Sequence, residues 1–473
     1  MTMTLSQTRS RIIGGTTLIL LAMSLGVLIA QIDTSVVNLA VKQIGASLNA
    51  GVTALQCVVD AYNLVYASLL LTAGTLADLY GRRRIFLLGI MLFTIGSVVC
   101  GLAPNAVVLV AGRAIAGLGA ALEVPTSLAI LTVAYPDAKE RTHALGLWAS
   151  CNGLAFVVGP TLGGVLVDAV GWRSIFLLII PPCVATLALT AAAVPESKDP
   201  KDRTLDLPGH TLAIAGLGAL SLAVIEGPRW GWGSPGSLAS LATSIAAALL
   251  FLRRQADADG ALVPLWMLKN RVFSASLGVA FAMTFGMYAM LFLTPLYLQS
   301  ARGSSALMAG IELLPMSVAF VVVSQLSGRI ANAFGPRLPM TAGMAMMGAG
   351  LFMLALIPLD DSLVLIEVAL FVTGCGLGLN TGPVNAVAVA NVPAARSGTA
   401  SGLVNTARMV GATLGVAVLG AVFAMYAGAA SESRHIVAGL APAYVGGGLS
   451  EMIGAVAAFT LIRRDSLRGL PRR

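Results

Sequence analysis

The sequence contains 473 residues, of which 57% are hydrophobic and only 11% are charged, a far more apolar balance than a soluble domain of this size has. Its formal net charge of +8 does not indicate nucleic-acid binding, because the basic residues lie at the ends of apolar segments, as topology determinants do. The five cysteines lie in apolar stretches without paired spacing, which argues against disulfides and metal sites. The composition therefore predicts an all-α integral membrane protein that binds neither nucleic acid nor metal.

Fourteen apolar segments are predicted to cross the membrane, because a helix of about twenty residues spans a hydrocarbon core of about 30 Å. In chain order the predicted spans are Gly14–Ala40, Leu55–Ala77, Ile85–Ala103, Val107–Val133, His143–Val167, Ile175–Val194, Thr211–Ile225, Ser237–Leu252, Phe273–Leu296, Ala306–Ser327, Leu338–Ile357, Leu363–Val384, Gly398–Tyr426 and Tyr444–Ile462. The first span is too long for a secretory signal and carries no cleavage pattern, so we expect it to be retained as a helix.

The basic residues between the spans predict which side of the membrane each loop faces. If both termini are cytoplasmic, the cytoplasmic loops hold most of the arginines and lysines, including the run Arg82–Arg84. The opposite loops then hold only Lys42, Arg173, Arg229, Arg302 and Arg434. This bias predicts an even number of crossings with both termini in the cytoplasm.

Two segments of the chain are repeated in the same order. The polar hinge Gly74–Arg84, between the second and third spans, is matched in its glycine, alanine and arginine positions by Gly328–Arg337. The segment Val158–Gly163 is similarly matched by Val410–Gly415. Two such repeats predict two related helix bundles within one chain.

The polar stretch from Pro195 to His210 ends the first bundle, and two additional spans follow it before the second bundle begins. The predicted organisation is a six-helix bundle in residues 1–195, a linker with two inserted spans in 196–270, and a six-helix bundle with a short basic tail in 271–473. Twelve spans belong to the two repeats under this division, and the pair between them is an insertion.

Four motifs resemble those of the major facilitator superfamily. They are the cytoplasmic-loop motif in Gly74–Arg84, the fourth-helix motif in Arg113–Gly119, the antiporter motif in Gly153–Gly164 and the first-helix motif in Asp33–Asn38. The first-helix motif is similar to that of the drug:proton antiporter branch with fourteen spanning helices. The resemblance to these methylenomycin- and multidrug-resistance-like exporters implies a major facilitator fold. In that fold a substrate path runs between two six-helix bundles, and the inserted pair packs outside them.

Ionisable residues inside the predicted spans are candidates for proton coupling, since each costs roughly 2.5–3.5 kcal/mol on insertion scales. Asp33 lies in the first span, where it could exchange a proton, and Arg113 lies deep in the fourth and cannot lose its own. The resemblance implies that Arg113 holds and releases a carboxylate as the conformation changes. Glu312, in the tenth span, is a second candidate for a proton or a cation. The alternatives are a structural hydrogen bond for Asp33 and a fixed bridge between helices for Arg113.

Four other polar residues are predicted to contribute to the substrate cavity: Asp60, Glu123, Asn405 and Arg408. Glu123 follows Arg113 on the same helix, about 15 Å along the axis and roughly 80° around it, so it could line the same cavity and attract a lipophilic cation. Asp60 is close enough to the end of its span to be merely solvated. Arg408 would oppose cations.

The loop motif is predicted to act as a conformational gate formed by Gly74, Asp78, Gly81, Arg82 and Arg83. Asp78 would accept hydrogen bonds from helix N-termini or arginines across the cytoplasmic gap, and these bonds would break when the cytoplasmic side opens. If the motif served only to keep this loop on the cytoplasmic side, its arginines would be explained, but Asp78 and the two glycines would not.

The antiporter motif comprises Gly153, Gly159, Pro160, Gly163 and Gly164. Small residues let helix backbones approach closely in lipid, so most glycines in the spans are expected to serve packing. Pro160 removes one backbone hydrogen bond and can bend the fifth helix, which must flex or seal as the bundles move.

These observations predict a proton-driven exporter of small lipophilic or cationic, antibiotic-like compounds in the bacterial cytoplasmic membrane, with no cofactor. The family resemblance implies a monomer. A proton taken up from outside at Asp33 or Glu312 would disfavour the bound compound, and its release inside would reset the cycle. The alternatives are a proton-coupled importer of a small solute and a non-transporting sensor or scaffold. The antiporter motif argues against the importer, and the costly ionisable residues within the spans argue against the sensor. No nucleophile–base pair indicates an enzyme.

Overall fold

The computed structural model describes residues 5–198, 206–257, 265–357, 362–393, 396–427 and 433–468. These residues form seventeen α-helices: α1 (Leu5–Leu48), α2 (Val52–Tyr80), α3 (Arg82–Gly101), α4 (Ala106–Ala134), α5 (Ala138–Ala169), α6 (Ser174–Leu177), α7 (Ile180–Ala193), α8 (Leu207–Trp230), α9 (Pro235–Asp257), α10 (Leu265–Leu268), α11 (Arg271–Ser300), α12 (Ala306–Glu312), α13 (Leu314–Phe334), α14 (Arg337–Leu354), α15 (Leu363–Ala390), α16 (Ser397–Ala427) and α17 (Ser433–Leu461). Helices are the expected form of a lipid-embedded chain, because a helix satisfies its backbone hydrogen bonds internally.

Twelve helical segments of the described residues are long and apolar enough to cross a membrane. Helix α2 adds a thirteenth if its two parts, Val52–Leu70 and Thr72–Tyr80, count as one span bent by 55°. Helix α14 has 18 residues, begins with Arg337 and is not among these candidates. It occupies the place of the predicted span Leu338–Ile357, so the number fourteen stays a prediction.

Several helices extend beyond the apolar segments that predicted them. Helix α1 continues past Ala40 to Leu48, and α17 begins at Ser433 rather than at Tyr444. The extension of α1 carries Lys42 and Gln43, whose side chains donate hydrogen bonds to backbone carbonyls of other helices. Since these polar side chains are satisfied by neighbouring helices, hydropathy alone underestimates the length of the helix.

The helices pack as two groups that meet along a limited set of helix pairs. In the first group α4 packs on α2 and α3, and α1 packs on α5 and α7. In the second, α11 packs on α16 and α17, and α15 packs on α13 and α14. The groups meet where α1 contacts α11, α2 contacts α16, and α5 contacts α12 and α13. The hairpin of α8 and α9 touches α2 and α16 from one side.

Both copies of the repeated hinge contain a glycine with a left-handed backbone. Gly81 has φ 112° where α2 meets α3, and Gly335 has φ 81° where α13 meets α14. A side chain would be strained at either place. A Cβ atom at Gly81 would also meet the carboxylate of Glu196. The repeated glycines therefore make the same tight reversal between consecutive helices.

Glycines bring α3 and α4 into backbone contact. Gly89 and Gly96 on α3 face Gly112 and Gly119 on α4, and a Cβ atom at any of them would lie within 3.1 Å of an atom of the opposite helix. Close approach of this kind is how helices associate in lipid, where apolar burial gives no separate driving force.

Replacing Gly119 by alanine is expected to destabilise the protein by about 1–3 kcal/mol, because the new methyl group would overlap the backbone of Phe93 and Gly89. The measurement is the thermal unfolding temperature in detergent. Gly278→Ala is the matched control, since Gly278 is an exposed glycine on α11 with nothing within 4 Å of a Cβ atom. Equal unfolding temperatures for the two variants would contradict the packing argument.

Asp206 holds together the base of the inserted hairpin of α8 and α9. Its carboxylate accepts hydrogen bonds from the backbone of Gly209, from Arg254 Nε at 2.9 Å and from Gln255 Nε2 at 2.9 Å. Burial opposes the ionised form of Asp206, but these hydrogen bonds outweigh burial and lower its pKa below the ordinary 3.8. One side chain thus caps α8 and ties it to the end of α9.

Asp206→Asn should lower the free energy of unfolding by about 0.5–1.5 kcal/mol at neutral pH, allowing for the exposure of Arg254. Because the folded-state pKa is depressed, this stabilisation is present above the unfolded-state pKa and is lost as pH falls through the folded value. The unfolding temperatures of wild type and Asp206→Asn should therefore converge below about pH 4. Arg253→Gln, which changes the exposed neighbour of Arg254, should have no comparable effect.

Candidate functional site: a central cavity and its two ends

A cavity of about 1240 Å³ lies between the two groups of helices. Helices α1, α2, α4 and α5 form one wall, and α11, α13, α15 and α16 form the other. We call the end of the protein that carries Gly81 the motif end, and the end that carries Leu48 the far end. The cavity lining reaches the motif end at Asp78, Thr132 and Arg396. The cavity therefore extends from the middle of the helices to one end of the protein.

The cavity is lined mainly by aromatic, apolar and uncharged polar side chains. Its aromatic residues are Tyr62, Tyr66, Trp148, Phe156, Tyr288 and Phe320. Phe156 and Phe320 also contact each other edge to face across the two groups, with ring centroids 5.4 Å apart. A lining of this kind suits a lipophilic molecule that is oriented by a small number of polar contacts.

At the far end, hydrogen bonds join the two groups of helices. Lys42 Nζ donates to the carbonyl of Gln299 at 2.6 Å, and Gln299 Nε2 donates to the carbonyl of Leu39 at 2.8 Å. Gln56 Nε2 donates to the carbonyl of Val416 at 3.2 Å. These bonds link α1 to α11 and α2 to α16, so the far end is closed while the cavity extends to the motif end.

Asp168 makes a further bond across the far end. Its two carboxylate oxygens accept hydrogen bonds from the backbone of Ala306 at 3.0 Å and Leu307 at 2.8 Å. These are the first two residues of α12, whose N–H groups have no partner within their own helix. Asp168 on α5 therefore caps a helix of the opposite group.

The antiporter-motif glycines form the surface of α5 that meets other helices near the far end. A Cβ atom at Gly159 or Gly163 would overlap Ser35 or Val36 of α1, and one at Gly164 would overlap the backbone of α12. From the other side, Gly310 of α12 faces the carbonyl of Pro160 just as closely. Gly153 lies nearer the motif end, where it lines the cavity and faces Val321. The motif thus lets α5 contact both groups at once.

The structure brings Asp33 and Arg113 together in a buried ion pair. Arg113 Nη1 donates to Asp33 Oδ2 at 2.5 Å, and the two side chains are 2% and 1% exposed. The guanidinium also lies over the ring of Tyr62, 4.4 Å from its centroid, and Nε donates to the carbonyl of Val58. Gly117 lies against the backbone of Tyr62, where a Cβ atom would not fit. The glycine of the fourth-helix motif thus permits the approach that sets the arginine on the ring.

The ion pair lies directly behind the wall of the cavity. Neither Asp33 nor Arg113 lines the cavity, but Tyr62 and Thr34 do. Asp33 Oδ1 has no hydrogen-bond partner among the described residues. Among the described residues the arginine therefore pairs with one of the two carboxylate oxygens and leaves the other without a partner.

Two of the residues predicted for the substrate cavity line it. Asn405 and Arg408 lie one turn apart on α16, and both face the cavity. Arg408 Nη2 donates to the carbonyl of Thr381 at 3.0 Å, and its own carbonyl accepts a hydrogen bond from Thr284. The aromatic residues Trp148 and Tyr288 also line the cavity.

The loop motif forms contacts within its own group of helices. Arg82 Nη2 pairs with Asp78 Oδ1 at 2.8 Å, and Asp78 lines the cavity at the motif end. Glu196 accepts hydrogen bonds from the backbone N–H groups of Arg83 and Arg84, so it caps α3 from the end of α7. Gly74 faces open space and lines the cavity. In this conformation the motif therefore borders the open end of the cavity.

Comparison with known proteins identifies the family. The profile described as Major Facilitator Superfamily matches residues 23–416. The chain belongs to the major facilitator superfamily. Multidrug resistance protein Stp of Mycobacterium tuberculosis is 40% identical over 415 residues, which are 88% of this chain and 77% of that protein. The methylenomycin A resistance protein of Bacillus subtilis is 36% identical over 417 residues, covering 87% of this chain and 89% of that one.

The fold of this major facilitator protein matches a solved structure as well. The structure of a D-xylose–proton symporter superposes with a TM-score of 0.69 over 96% of this chain and 99% of that one, at 18% identity. A likeness at that identity concerns the fold alone. The predicted family and the predicted all-α membrane fold are confirmed.

Two residues predicted to line the cavity of this major facilitator protein do not do so. Glu123 is fully buried and its carboxylate lies against Gly26 of α1, although its neighbours Val124 and Pro125 line the cavity. Asp60 is also buried and is absent from the lining. The helical angle between Arg113 and Glu123 could not say which neighbouring helix filled the space beside Glu123. A role for either carboxyl in substrate binding stays a prediction.

Glu312 lies at the end of α12, near the far end of the molecule. Its carboxylate accepts a hydrogen bond from Ser304 at 3.3 Å, and it does not line the cavity. In the described part of the chain it makes no hydrogen bond or ion pair with Asp33 or Arg113. Its predicted part in proton coupling remains a prediction.

Sequence reasoning missed Glu451 and Asp168. Glu451 is fully buried in α17 against Gly286, and neither carboxylate oxygen has a hydrogen-bond partner among the described residues. Glu451 could have been found from the sequence, because it is an acidic residue inside the predicted span Tyr444–Ile462. Asp168 gave no such signal, because it ends its span and its partners are more than one hundred residues away in the chain.

Asp168→Ala should accelerate hydrogen exchange at the amides of Ala306 and Leu307 about tenfold, as expected for the loss of roughly 1.4 kcal/mol of hydrogen bonding. The measurement is hydrogen–deuterium exchange of the peptide that contains the start of α12. Asp137→Ala is the control, because Asp137 accepts a hydrogen bond from the backbone of Glu140 in α5, at the motif end. Unchanged exchange at α12 would show that Asp168 does not hold the two groups together.

Proposed function

We propose that the chain exports lipophilic, antibiotic-like compounds in exchange for protons, by alternating access of the central cavity. The observation that carries this proposal is the buried Asp33–Arg113 pair behind the wall of a cavity that extends to one end only. The names of the relatives, which are resistance proteins for several drugs and for methylenomycin A, support the substrate class. We infer a transporter rather than an enzyme.

We infer that the motif end faces the cytoplasm. The arginines of the loop motif and the other basic residues of the same end support this orientation, because positively charged loops remain on the cytoplasmic side. The proposed location is the bacterial cytoplasmic membrane, with both termini inside and the protein acting as a monomer. In this orientation the conformation described above is open to the cytoplasm and can receive a compound from inside the cell.

The proton step is proposed to occur at Asp33. Protonation would neutralise Asp33 and weaken its attraction for Arg113, which would keep the ring of Tyr62 and the carbonyl of Val58 as partners. Because Tyr62 forms part of the cavity wall, a shift of Arg113 would change the surface that a compound contacts. Coupling requires only that the compound and the proton favour different states of this pair.

The conformational change is proposed to exchange the closed end for the open one. Opening the far end breaks the bonds of Lys42, Gln56 and Asp168 to the opposite group. Closing the motif end would bring Asp78 and Arg82 towards the second group of helices, which is the gate function proposed for the loop motif. Glu312 lies near the hydrogen bonds that close the far end. It is a second proposed proton site, whose protonation would shift the balance between the two conformations.

The test is proton release from energised inside-out vesicles, followed by a pH-gradient dye while candidate compounds are added. Wild type should dissipate the gradient when a transported compound is present, and Asp33→Asn should lose at least about nine-tenths of this response, because an amide cannot take up the proton. Glu140→Gln is the control, since it neutralises an exposed acid at the start of α5.

The outcomes separate the alternatives. An equal response in wild type and Asp33→Asn would remove Asp33 from the coupling step. A gradient response that requires the compound to be inside the vesicle, so that compound and proton leave the lumen together, would identify an importer. Silence of wild type across a broad panel of lipophilic compounds, with the protein present at normal levels, would contradict transport altogether.

A further inference from the structure

The two deeply placed arginines of the chain differ in how their charges are satisfied. Arg113 has an ion pair with Asp33, a ring under its guanidinium and a backbone acceptor for Nε. Arg408 has one hydrogen bond, from Nη2 to the carbonyl of Thr381. In the described part of the chain Arg408 has no carboxylate within ion-pair distance, no ring beneath its guanidinium, and no acceptor for Nε. The charge of Arg113 is therefore paired with a carboxylate, whereas Arg408 has no such counter-ion among the described residues and keeps most of its donors unused.

Arg408 directs those donors towards the cavity. It is a lining residue located about 16 Å along α16 from the first residue of that helix, so it lies well inside the membrane-spanning part. An arginine at this depth is costly unless it has a partner or faces a polar space, and its fork of N–H groups matches the two oxygens of a carboxylate. The chain supplies the positive charge at this point but not its counter-ion.

Uncharged polar groups surround the same part of the cavity. Asn405 lies one turn before Arg408 on α16, and Thr381 and Asn385 lie one turn apart on α15, all four being lining residues. The hydroxyl of Thr381 already donates to the carbonyl of Leu377. The side-chain N–H groups of Asn385 and Asn405 can donate hydrogen bonds that orient a negatively charged group on the arginine.

The other charges of the lining do not offset Arg408. Asp78 lies at the motif end and is paired with Arg82, and Arg396 is an exposed cation at the same end. Glu123 and Asp60 do not line the cavity, and Asp33 is paired with Arg113. The deep part of the cavity therefore has one net positive charge, supplied by Arg408, among aromatic side chains.

We propose that the cavity selects amphipathic anions, namely lipophilic molecules whose carboxylate or ionised phenol or enol binds Arg408 while their apolar body contacts the aromatic wall. This inference rests on the proposed export function and specifies its substrate class. It replaces the lipophilic cation that the sequence suggested, because the acids that would attract a cation lie outside the cavity lining. Tyr288 and Trp148 then provide the apolar contact rather than a cation–π site.

An anionic substrate also affects the energetics of exchange. A compound that leaves with a negative charge while a proton enters moves positive charge inward on both counts. The inside-negative membrane potential would then drive both movements in the same direction. Export of such a compound should depend on the potential as well as on the pH gradient.

The experiment compares binding of two dyes with the same tricyclic frame, the anion fluorescein and the cation rhodamine 123, to the purified full chain in lipid nanodiscs. Fluorescence anisotropy gives each dissociation constant at mildly alkaline pH, where fluorescein is ionised. Wild type should bind fluorescein at least about tenfold more tightly than rhodamine 123. Arg408→Gln should weaken fluorescein binding at least about tenfold and leave rhodamine 123 binding unchanged or stronger.

Two further variants distinguish the charge of Arg408 from a structural role. Arg408→Lys keeps the charge and should retain most of the preference for fluorescein, although without the two-pronged geometry. Arg329→Gln removes the same charge from an exposed position on α13 outside the cavity lining and should change fluorescein binding by less than about threefold. If Arg408→Gln weakens both dyes equally, or if Arg329→Gln has the same effect as Arg408→Gln, the proposal is overturned.

The dyes also separate this proposal from the export function. The anion proposal is overturned by any of three results: tighter binding of rhodamine 123, no binding of either dye, or fluorescein binding that is unchanged in Arg408→Gln. In each case, gradient-driven movement of rhodamine 123 in vesicles would still support the export function. Arg408-dependent fluorescein binding without gradient-driven movement of either dye would support the anion site and contradict proton antiport.

Discussion

The contact of α5 with α1 and α12 is the constraint on which the shape of the molecule depends. Gly159 and Gly163 let α5 lie against α1, while Gly164 lets it lie against the first turn of α12. Asp168 then caps α12 from α5, so backbone packing and hydrogen bonding act at the same junction. Because this junction joins the two groups at the far end, the space between them can extend only towards the motif end.

The buried polar side chains fall into two kinds: some form hydrogen bonds between the two groups of helices, and others pair within one group. At the far end, Gln56 and Gln299 donate to carbonyls of the opposite group. Such bonds stabilise the closed far end at a modest free-energy cost of breaking, since water can replace the protein partner of each one. Asp33 and Arg113, by contrast, pair inside one group, so their ion pair does not itself join the two groups.

The unequal surroundings of Arg113 and Arg408 divide the proposed tasks between the two groups of helices. The first group contains the ion pair, behind the wall made by Tyr62 and Thr34. The second contributes the unpaired cation, on the wall made by α15 and α16. A compound bound between the walls would contact both, which gives the proton and the compound a common surface through which each could affect the other.

Sequence alone determined the family, the helical fold and most of the polar residues that matter. Lipid requires helices and penalises charges, so long apolar segments identified the spans, and rare acids and arginines within them identified Asp33, Arg113 and Arg408. The same rule would have found Glu451. Only the tertiary structure decided which charges meet, because Asp33 and Arg113 are far apart in the chain and Asp168 finds its partners on another group of helices. It likewise decided that Glu123 faces Gly26 while Arg408 faces the cavity. Whether a helical side chain meets another helix or a cavity depends on which helices pack beside it.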